Sequence, residues 1–199
     1  MTLGELIRSD AKIEEISEHL DALDKASRRQ ETRELDGKLQ ALLYQRAADS
    51  PPLALSHFVP ESVESNREVI HSGRNSQPAF KYFEKRLCKP AAQEHELWGY
   101  NETSVRPLIG PGYFVAHLSE NAGGDPRGAV VVDYFEVPGG PVPEGWPTIK
   151  PNSRGLQMFV YDKMRDYMRG VSRHVSIGAA HRMEKRLMGY FVLCREDEL

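Results

Sequence analysis

Cysteine is scarce in this chain of 199 residues, which contains only two. Cys88 and Cys194 lie far apart and form neither a CxxC pair nor a zinc-ligand pattern, so the sequence predicts no disulfide framework and no metal site. Cys194 falls within the apolar stretch YFVLCR, where a small buried side chain is its expected role. A chain of this length can bury a core without such cross-links.

Long apolar runs and a strong net charge are also absent. Mean hydropathy is −0.53, and no stretch reaches the length of about 20 apolar residues that a membrane-spanning helix needs. The first residues turn acidic before the apolar core of a signal peptide could form. A formal charge of −3 and a pI of about 6.2 argue against general nucleic-acid binding. We therefore expect a cytoplasmic protein with no nucleic-acid and no membrane partner.

Short catalytic motifs are missing as well. The chain has no G-x-S-x-G elbow, no P-loop, no kinase signature and no HExxH or HxH metal spacing. Their absence weakens an enzymatic interpretation without removing it, because acid–base sites on mixed folds need no local motif. No cofactor is indicated by the sequence.

Residues 1–50 predict a helical element in front of the main domain. Its first helix has apolar positions at helical spacing, which are Ile13, Ile16, Leu20 and Leu23. A second helix is expected over residues 27–49, before the break at Pro51. Because such a narrow apolar seam needs a partner, we expect a helical pair that packs on the main domain or forms a homodimer with a second copy.

Residues 51–199 predict a single α+β domain. Alternation and turn residues indicate strands at 67–71, 96–101, 113–119, 128–137, 174–182 and 189–196. Helices are predicted over 79–88 and, with an amphipathic pattern that ends at Gly170, over 155–169. This order favours an antiparallel sheet of about five strands, crossed on one face by the long C-terminal helix.

The polar segment from His71 to Ser76 is the first candidate site. It lies directly before a predicted helix, whose first turn offers free backbone N–H groups that favour an anion. Arg74, Asn75 and Ser76 would add side-chain donors. The alternative is a helix N-cap at Ser76 in a solvated loop, since the segment lacks the GK[ST] ending of a P-loop.

Strand alternation suggests a second candidate site on one face of the sheet. His117, Asp133, Tyr190 and one of His174 or His181 would meet there if the predicted strands pair as expected. A histidine beside a carboxylate can act in acid–base chemistry. The alternative is that these histidines are structural, because a register slip of one residue would separate them.

Three functions remain open from the sequence. The leading hypothesis is binding of a small anionic or part-aromatic ligand, with contacts from His71, Arg74, Asn75, Ser76, His117 and His174. The second is an enzyme that uses His, Asp or Tyr as general acid and base, which requires two titratable groups within hydrogen-bond reach in a closed pocket. The third is a protein-interaction module, which requires the N-terminal apolar seam to be exposed.

Overall fold

A computed structural model describes residues 1–78, 80–119 and 124–196 and shows a closed antiparallel β-barrel. Its eight strands follow one another around the barrel in chain order, and the last pairs with the first to close it. The strands are β1 Val69–Asn75, β2 Tyr82–Cys88, β3 Glu96–Glu102, β4 Phe114–Leu118, β5 Val130–Asp133, β6 Met164–Gly170, β7 Val175–Arg182 and β8 Arg186–Arg195.

Helices occupy the N-terminal segment and two loops. They are α1 Leu3–Arg8, α2 Ile13–Ala22, α3 Lys25–Glu34, α4 Gly37–Arg46, α5 Arg106–Ile109 and two 3₁₀ turns at Leu55–His57 and Leu156–Phe159. Asp24 and Asp36 begin α3 and α4, because each carboxylate accepts a hydrogen bond from the backbone amide three residues further on.

The barrel wall has two faces because successive side chains of a strand point in opposite directions. In β6, Met164, Asp166 and Met168 point inward, whereas Arg165 and Tyr167 lie on the outer surface. The inward residues of the other strands form an aromatic and aliphatic core, which includes Phe83, Leu87, Leu97, Phe114, Val130, Val132, Phe191 and Leu193. The barrel interior is therefore one of the two large apolar clusters of the protein.

The long C-terminal helix predicted over 155–169 is wrong, and the α+β assignment with a five-stranded sheet is wrong with it. Residues Leu156–Phe159 form a 3₁₀ turn, and Met164–Gly170 is strand β6 between β5 and β7. The apolar residues of this segment fit both a helical and an alternating pattern. Backbone pairing on both edges of β6 favours the strand over the local helical pattern.

The helix predicted over 79–88 is also wrong, although residue 79 lies outside the described part of the chain. Tyr82–Cys88 is strand β2, paired with β1 and β3. Phe83, Lys85 and Leu87 all belong to the inner face. A lysine at the central inward position hides the alternation and leaves Phe83 and Leu87 at a spacing typical of a helix.

The predicted strand pairs at the centre and the end of the chain are confirmed. Segments 113–119 and 128–137 contain the β4–β5 hairpin, and 174–182 with 189–196 contain β7 and β8. The predicted strand at 96–101 is β3. The centre of the predicted turn between β4 and β5, residues 120–123, lies outside the described residues.

The N-terminal segment covers one side of the barrel with four helices instead of the predicted pair. The first predicted helix matches α2, but the second is divided at Leu35, which has an extended backbone, before Asp36 caps α4. Ile16 and Leu20 are fully buried. They belong to one apolar cluster with the outward residues of β7 and β8, namely Val175, Ile177, Val192 and Cys194. The chain's own barrel therefore buries this seam, and the homodimer stays a prediction.

The two ends of the barrel differ. At one end, the segment that precedes β1 lies across the interior, where the Phe58 ring is buried and its carbonyl accepts a hydrogen bond from His71 Nε2 at 2.9 Å. At the other end, the β1–β2, β3–β4, β5–β6 and β7–β8 connections surround an opening into the interior. We call these the closed end and the open end.

Candidate functional site

A cavity of about 270 Å³ lies in the open half of the barrel interior. This volume is close to the lower limit of small-molecule pockets, which span about 300–1,000 Å³. Most of the cavity lining is aromatic or aliphatic, with contributions from Phe80, Phe83, Val160, Tyr161, Met164, Met188 and Phe191. Ala180 of β7 occupies little of this space, because its side chain is only a methyl group. A flat apolar molecule is the shape that such walls favour.

A cluster of four polar side chains forms the inner part of the cavity. Lys85 Nζ lies 3.1 Å from Asp166 Oδ2 and donates a hydrogen bond to Asn101 Oδ1 at 3.1 Å. Nζ also contacts the Tyr134 hydroxyl, which accepts a hydrogen bond from Asn101 Nδ2 at 3.0 Å. Each member is at most 5% exposed. The ammonium group thus has three partners, the number of its N–H donors.

Burial shifts the two charged members of this cluster in opposite directions. Removal from water lowers the pKa of Lys85, and the attraction of Asp166 offsets only part of that change. Burial likewise raises the pKa of Asp166 in spite of Lys85 and Tyr134. The pKa of Tyr134 is raised well above its ordinary value, also mainly by burial. The cavity therefore holds an amine, a carboxyl group and a phenol whose proton affinities differ from those in water.

Aromatic rings surround the lysine and compensate part of its desolvation. Lys85 Nζ lies 4.7 Å from the centre of the Phe114 ring and 5.1 Å from that of Phe191. The negative faces of such rings attract an ammonium group. The Phe191 ring reaches this position because residue 178 is glycine: a Cβ atom there would lie 2.3 Å from a Phe191 ring carbon.

Arg182 places a further positive charge at the open end of the cavity. Its Nη2 donates hydrogen bonds to the carbonyl oxygens of Phe159 at 2.9 Å and Val160 at 3.2 Å. No carboxylate of the described ranges lies within ion-pair distance of this guanidinium. With Lys85 balanced by Asp166, the cavity lining has one uncompensated positive charge, that of Arg182.

Asn75 and Ser76, two of the predicted site residues, line this cavity. Asn75 Nδ2 donates to the Phe80 carbonyl at 2.7 Å, and Ser76 Oγ accepts a hydrogen bond from the Tyr190 amide at 2.9 Å. Their predicted setting is wrong, since Asn75 ends strand β1, Ser76 follows it, and the next element of the described residues is strand β2. The anion site at a helix N-terminus is therefore not formed.

Tyr190 also lines the cavity, whereas Arg74, His71 and His174 lie away from it. Arg74 lies on the outer surface, where its Nε donates to the Arg33 carbonyl at 3.1 Å and its guanidinium stacks over Tyr82. His71 and His174 are buried at the closed end, where His174 Nδ1 lies 3.4 Å from Arg195 Nη2. Arg74, His71 and His174 therefore do not line the cavity with Asn75 and Ser76.

His117 and Asp133 do lie together, but on the outer surface of the barrel. His117 Nε2 is 3.9 Å from Asp133 Oδ2, and Arg165 Nε donates to the same oxygen at 2.8 Å. His181 contacts the Tyr167 ring nearby, whereas Tyr190 packs against Tyr44 of α4. Strand alternation thus correctly grouped the first two residues, but the predicted four-residue cluster is not formed.

The sequence analysis missed the residues at the centre of the cavity. Lys85 was hidden in a predicted helix and Asp166 in another, while Asn101 is the final residue of a correctly predicted strand segment. A usable signal existed, because Lys85 lies between two apolar residues at alternate positions of YFEKRLC. Recognising it required that β2 be treated as a strand.

A metal-binding cluster and a membrane-spanning helix are both absent from the described residues. Across residues 1–78, 80–119 and 124–196, no three His, Cys, Asp or Glu side chains converge in a way that could hold a metal ion. Within the same ranges, no helix combines the length and apolar composition needed to cross a bilayer.

Comparison with known proteins finds no similar protein. No family model, no curated protein and no solved structure matches the chain. Function is therefore argued from the barrel and its cavity alone.

Proposed function

We propose that the barrel binds a small ligand that has a flat, partly aromatic body and one anionic group. The observation that carries this proposal is the aromatic cavity inside the barrel, with a buried Lys85–Asp166 pair at its inner end and Arg182 at its opening. The body of the ligand occupies the space beside Phe83, Tyr161 and Phe191, where burial of apolar surface drives binding.

Charge supports an anionic group at the opening of the cavity. Lys85 has Asp166 as its partner, so an anion deep in the cavity would compete with a carboxylate that is already in place. Arg182 offers a guanidinium that is fixed by two carbonyl groups and has no carboxylate partner in the described residues. Guanidinium groups bind carboxylates, sulfonates and phosphates through paired N–H donors.

The polar cluster gives the ligand a fixed set of hydrogen-bonding groups at the inner end. Lys85, Asn101 and Tyr134 hold one another in place, so little side-chain entropy is lost when a ligand enters. A ligand that offers a hydroxyl group there is favoured over a purely apolar one of the same shape, because the hydroxyl can donate a hydrogen bond to the Asp166 carboxylate.

The first test is native mass spectrometry of the protein purified from its own host, compared with its denatured mass. A reproducible extra mass that is lost on denaturation identifies the ligand and supports the proposal.

The second test is calorimetric titration with naphthalene-2-sulfonate, a small aromatic anion. Ala180→Phe fills the cavity and should abolish binding, whereas Ala92→Phe, the same change in an exposed loop, should leave it intact.

The charge at the opening is tested separately by Arg182→Gln. Loss of one charged hydrogen-bonding group should weaken binding of the sulfonate by roughly tenfold, with little effect on binding of neutral naphthalene. The proposal fails if no aromatic anion binds, or if Ala180→Phe binds as well as the unchanged protein. Thermal melting of each variant shows whether the barrel remains folded.

The same cluster favours a second candidate function, an enzyme that uses Lys85 as a nucleophile or base. Lys85, Asp166 and Tyr134 lie within hydrogen-bond reach inside a pocket, and burial alters the pKa of each. The sequence-based enzyme hypothesis required such an arrangement, although it named other residues. A buried amine of lowered pKa can attack a carbonyl carbon and release water to form an imine.

Reductive trapping tests this second candidate. Benzaldehyde and cyanoborohydride should add one benzyl group at Lys85, visible as a mass increase on the peptide that contains it. Lys85→Met should lose that modification, while the exposed Lys38 serves as an internal measure of non-specific labelling. If Lys85 is labelled no faster than Lys38, this candidate fails. The interaction-module hypothesis loses its main support, since Ile16 and Leu20 of the seam are fully buried.

A further inference from the structure

The open end of the barrel exposes an unusual concentration of large apolar side chains. Eleven such residues are exposed among the described ones, and six of them lie on α5, on the 3₁₀ turn Leu156–Phe159 and on residues 183–187 at the β7–β8 turn. They are Leu108, Leu156, Met158, Phe159, Met183 and Leu187, which we call the apolar rim. Phe159 is 68% and Leu108 72% exposed. Single exposed apolar residues are common, but a cluster of this kind marks a binding surface.

The rim is contiguous because its loops contact one another. Helix α5, which carries Leu108, packs against the 3₁₀ turn that carries Leu156 and Phe159. Arg182 at the end of β7 donates to the Phe159 carbonyl, and the Met183 amide donates to the Lys163 carbonyl at 2.8 Å. Three separate connections thus present their apolar side chains on one side of the molecule.

Basic residues accompany the rim. Segments 150–163 and 182–187 contain six Lys or Arg residues against two acidic ones. Five of the basic residues are exposed and have no ion-pair partner among the described residues: Lys150, Arg154, Lys163, Lys185 and Arg186. Glu184, one of the two acids, is already neutralised by Arg127 and Arg165. The surface around the opening is therefore both apolar and positively charged.

We propose that the open end of the barrel docks on the surface of an anionic lipid bilayer. Apolar side chains enter the boundary between headgroups and acyl chains, while lysine and arginine side chains contact the anionic headgroups. Charge complementarity favours this partner, because an anionic bilayer offers negative charge next to an apolar layer, as the apolar and basic rim requires. A partner protein or a second copy of the chain would need acidic residues beside an apolar patch to match the same surface. A contact of this kind needs no membrane-spanning segment, and the cavity opens toward the lipid.

Vesicle sedimentation tests the proposal with the full chain. Binding to vesicles of phosphatidylcholine mixed with phosphatidylserine should exceed binding to phosphatidylcholine alone and should fall as salt is added. Lys163→Glu with Lys185→Glu should weaken binding at least about tenfold. The matched control, Lys12→Glu with Lys38→Glu, reverses two exposed charges on the N-terminal segment and should bind nearly as well as the unchanged protein.

The apolar contribution needs its own pair of variants. Phe159→Ser should weaken binding to the mixed vesicles about tenfold, whereas Leu118→Ser, at a residue 42% exposed where β4 ends at the closed end, should not. Absence of sedimentation at low salt, or an equal loss in both charge variants, overturns the proposal. A concentration-dependent dimer that Phe159→Ser abolishes in the absence of lipid also overturns it and assigns the rim to self-association.

The inference is independent of the ligand in the cavity. Ala180→Phe fills the interior and changes none of the six rim residues, so it should leave vesicle binding unchanged even if it abolishes binding of naphthalene-2-sulfonate. Failure of the lipid proposal and failure of the ligand proposal are therefore distinguishable in one set of proteins.

Discussion

Strands β5 and β6 carry two charge clusters that are separated only by the thickness of the barrel wall. On the outside, Asp133 binds Arg165 at 2.8 Å, with His117 nearby. On the inside, Asp166 follows Arg165 in β6 and binds Lys85 of β2 at 3.1 Å. The hydroxyl of Tyr134, the residue after Asp133, lies beside this pair. The two clusters have similar chemistry and opposite environments.

Solvent access separates their behaviour. Burial tends to raise the pKa of Asp133, but His117, the Phe135 amide and Arg165 outweigh it, so its pKa is lowered. For Asp166, burial prevails over Lys85 and its pKa is raised. The partners of Asp133 reach water, with side chains about one third exposed, whereas Lys85 does not. In the outer cluster, the ion pairs stabilise the charged form of Asp133. In the inner cluster, the ion pair with Lys85 only partly compensates the cost of burying the charge of Asp166.

The largest expected effect comes from breaking the inner pair. Asp166→Leu leaves the Lys85 ammonium buried without its counter-ion and should lower the free energy of unfolding by about 3–5 kcal/mol. Urea titration measures this loss. The double variant Lys85→Met with Asp166→Leu should recover most of it, because no unpaired charge remains in the core.

The outer cluster supplies the matched comparison for that result. Asp133→Leu should cost about 1–2 kcal/mol, since Arg165 and His117 can turn toward water once their partner is gone. Equal losses for the inner and outer aspartates would show that burial does not distinguish the two clusters.

The next effect is the loss of stability at low pH that a buried histidine causes. Burial, with smaller electrostatic contributions from His71, Arg195 and His174, lowers the pKa of His57 at the closed end from 6.5 to about 3. Between these values the unfolded chain binds a proton that the folded chain does not, so stability is complete above pH 6.5 and falls as the pH decreases. The expected slope is roughly 1 kcal/mol per pH unit.

Unfolding titrations at several pH values, with His57→Gln beside the unchanged protein, test that slope. The variant should show a weaker dependence between pH 6 and pH 4, because it cannot take up the proton in its unfolded state. A dependence identical to that of the unchanged protein would assign the acid sensitivity to other groups.

Salt should affect the two clusters differently. Arg165→Gln removes a partner that is about one third exposed and should cost about 1 kcal/mol at low ionic strength. At 1 M salt the screening length falls to about 3 Å, and the difference between variant and parent should shrink. The loss caused by Asp166→Leu should change little in the same buffers, because water and ions do not reach Lys85.

The smallest effect concerns the surface histidine. Interaction with Asp133 raises the pKa of His117 above 6.5, although partial burial opposes the shift. The associated stabilisation is present below the pKa of the unfolded chain and disappears as the pH rises through the folded value. Because His117 is about one third exposed, solvent screening limits it to a few tenths of a kcal/mol. Imidazole NMR titration should show the shift, and Asp133→Asn should reverse it. A His117 pKa that is unchanged by Asp133→Asn would remove the aspartate from this account.

Local sequence signals predicted several elements correctly. Helix α2 and strands β3, β4, β5, β7 and β8 follow from spacing, alternation and turn residues within each segment. The pairing of His117 with Asp133 followed from the same alternation. These features depend on residues close together in the chain, which is why the sequence alone could indicate them.

The errors share one physical cause. Segments 82–88 and 164–170 have apolar residues whose spacing also fits a helix, and each became a strand because neighbours on both sides supply backbone partners. The closing pair joins β1 to β8, at opposite ends of the main domain. A pattern read within one segment contains no information about such distant pairing.

The sequence by itself determined the helical character of the N-terminal segment and the alternation of inner and outer side chains in β3, β4, β5, β7 and β8. Tertiary structure alone decided that eight strands close into a barrel, that Lys85 meets Asp166 in its interior and that the apolar rim gathers around one opening. Residues far apart along the chain form both the cavity and the rim, and their positions depend on the closure of the sheet. Closure is favourable because it leaves no unpaired strand edge and buries one continuous apolar face.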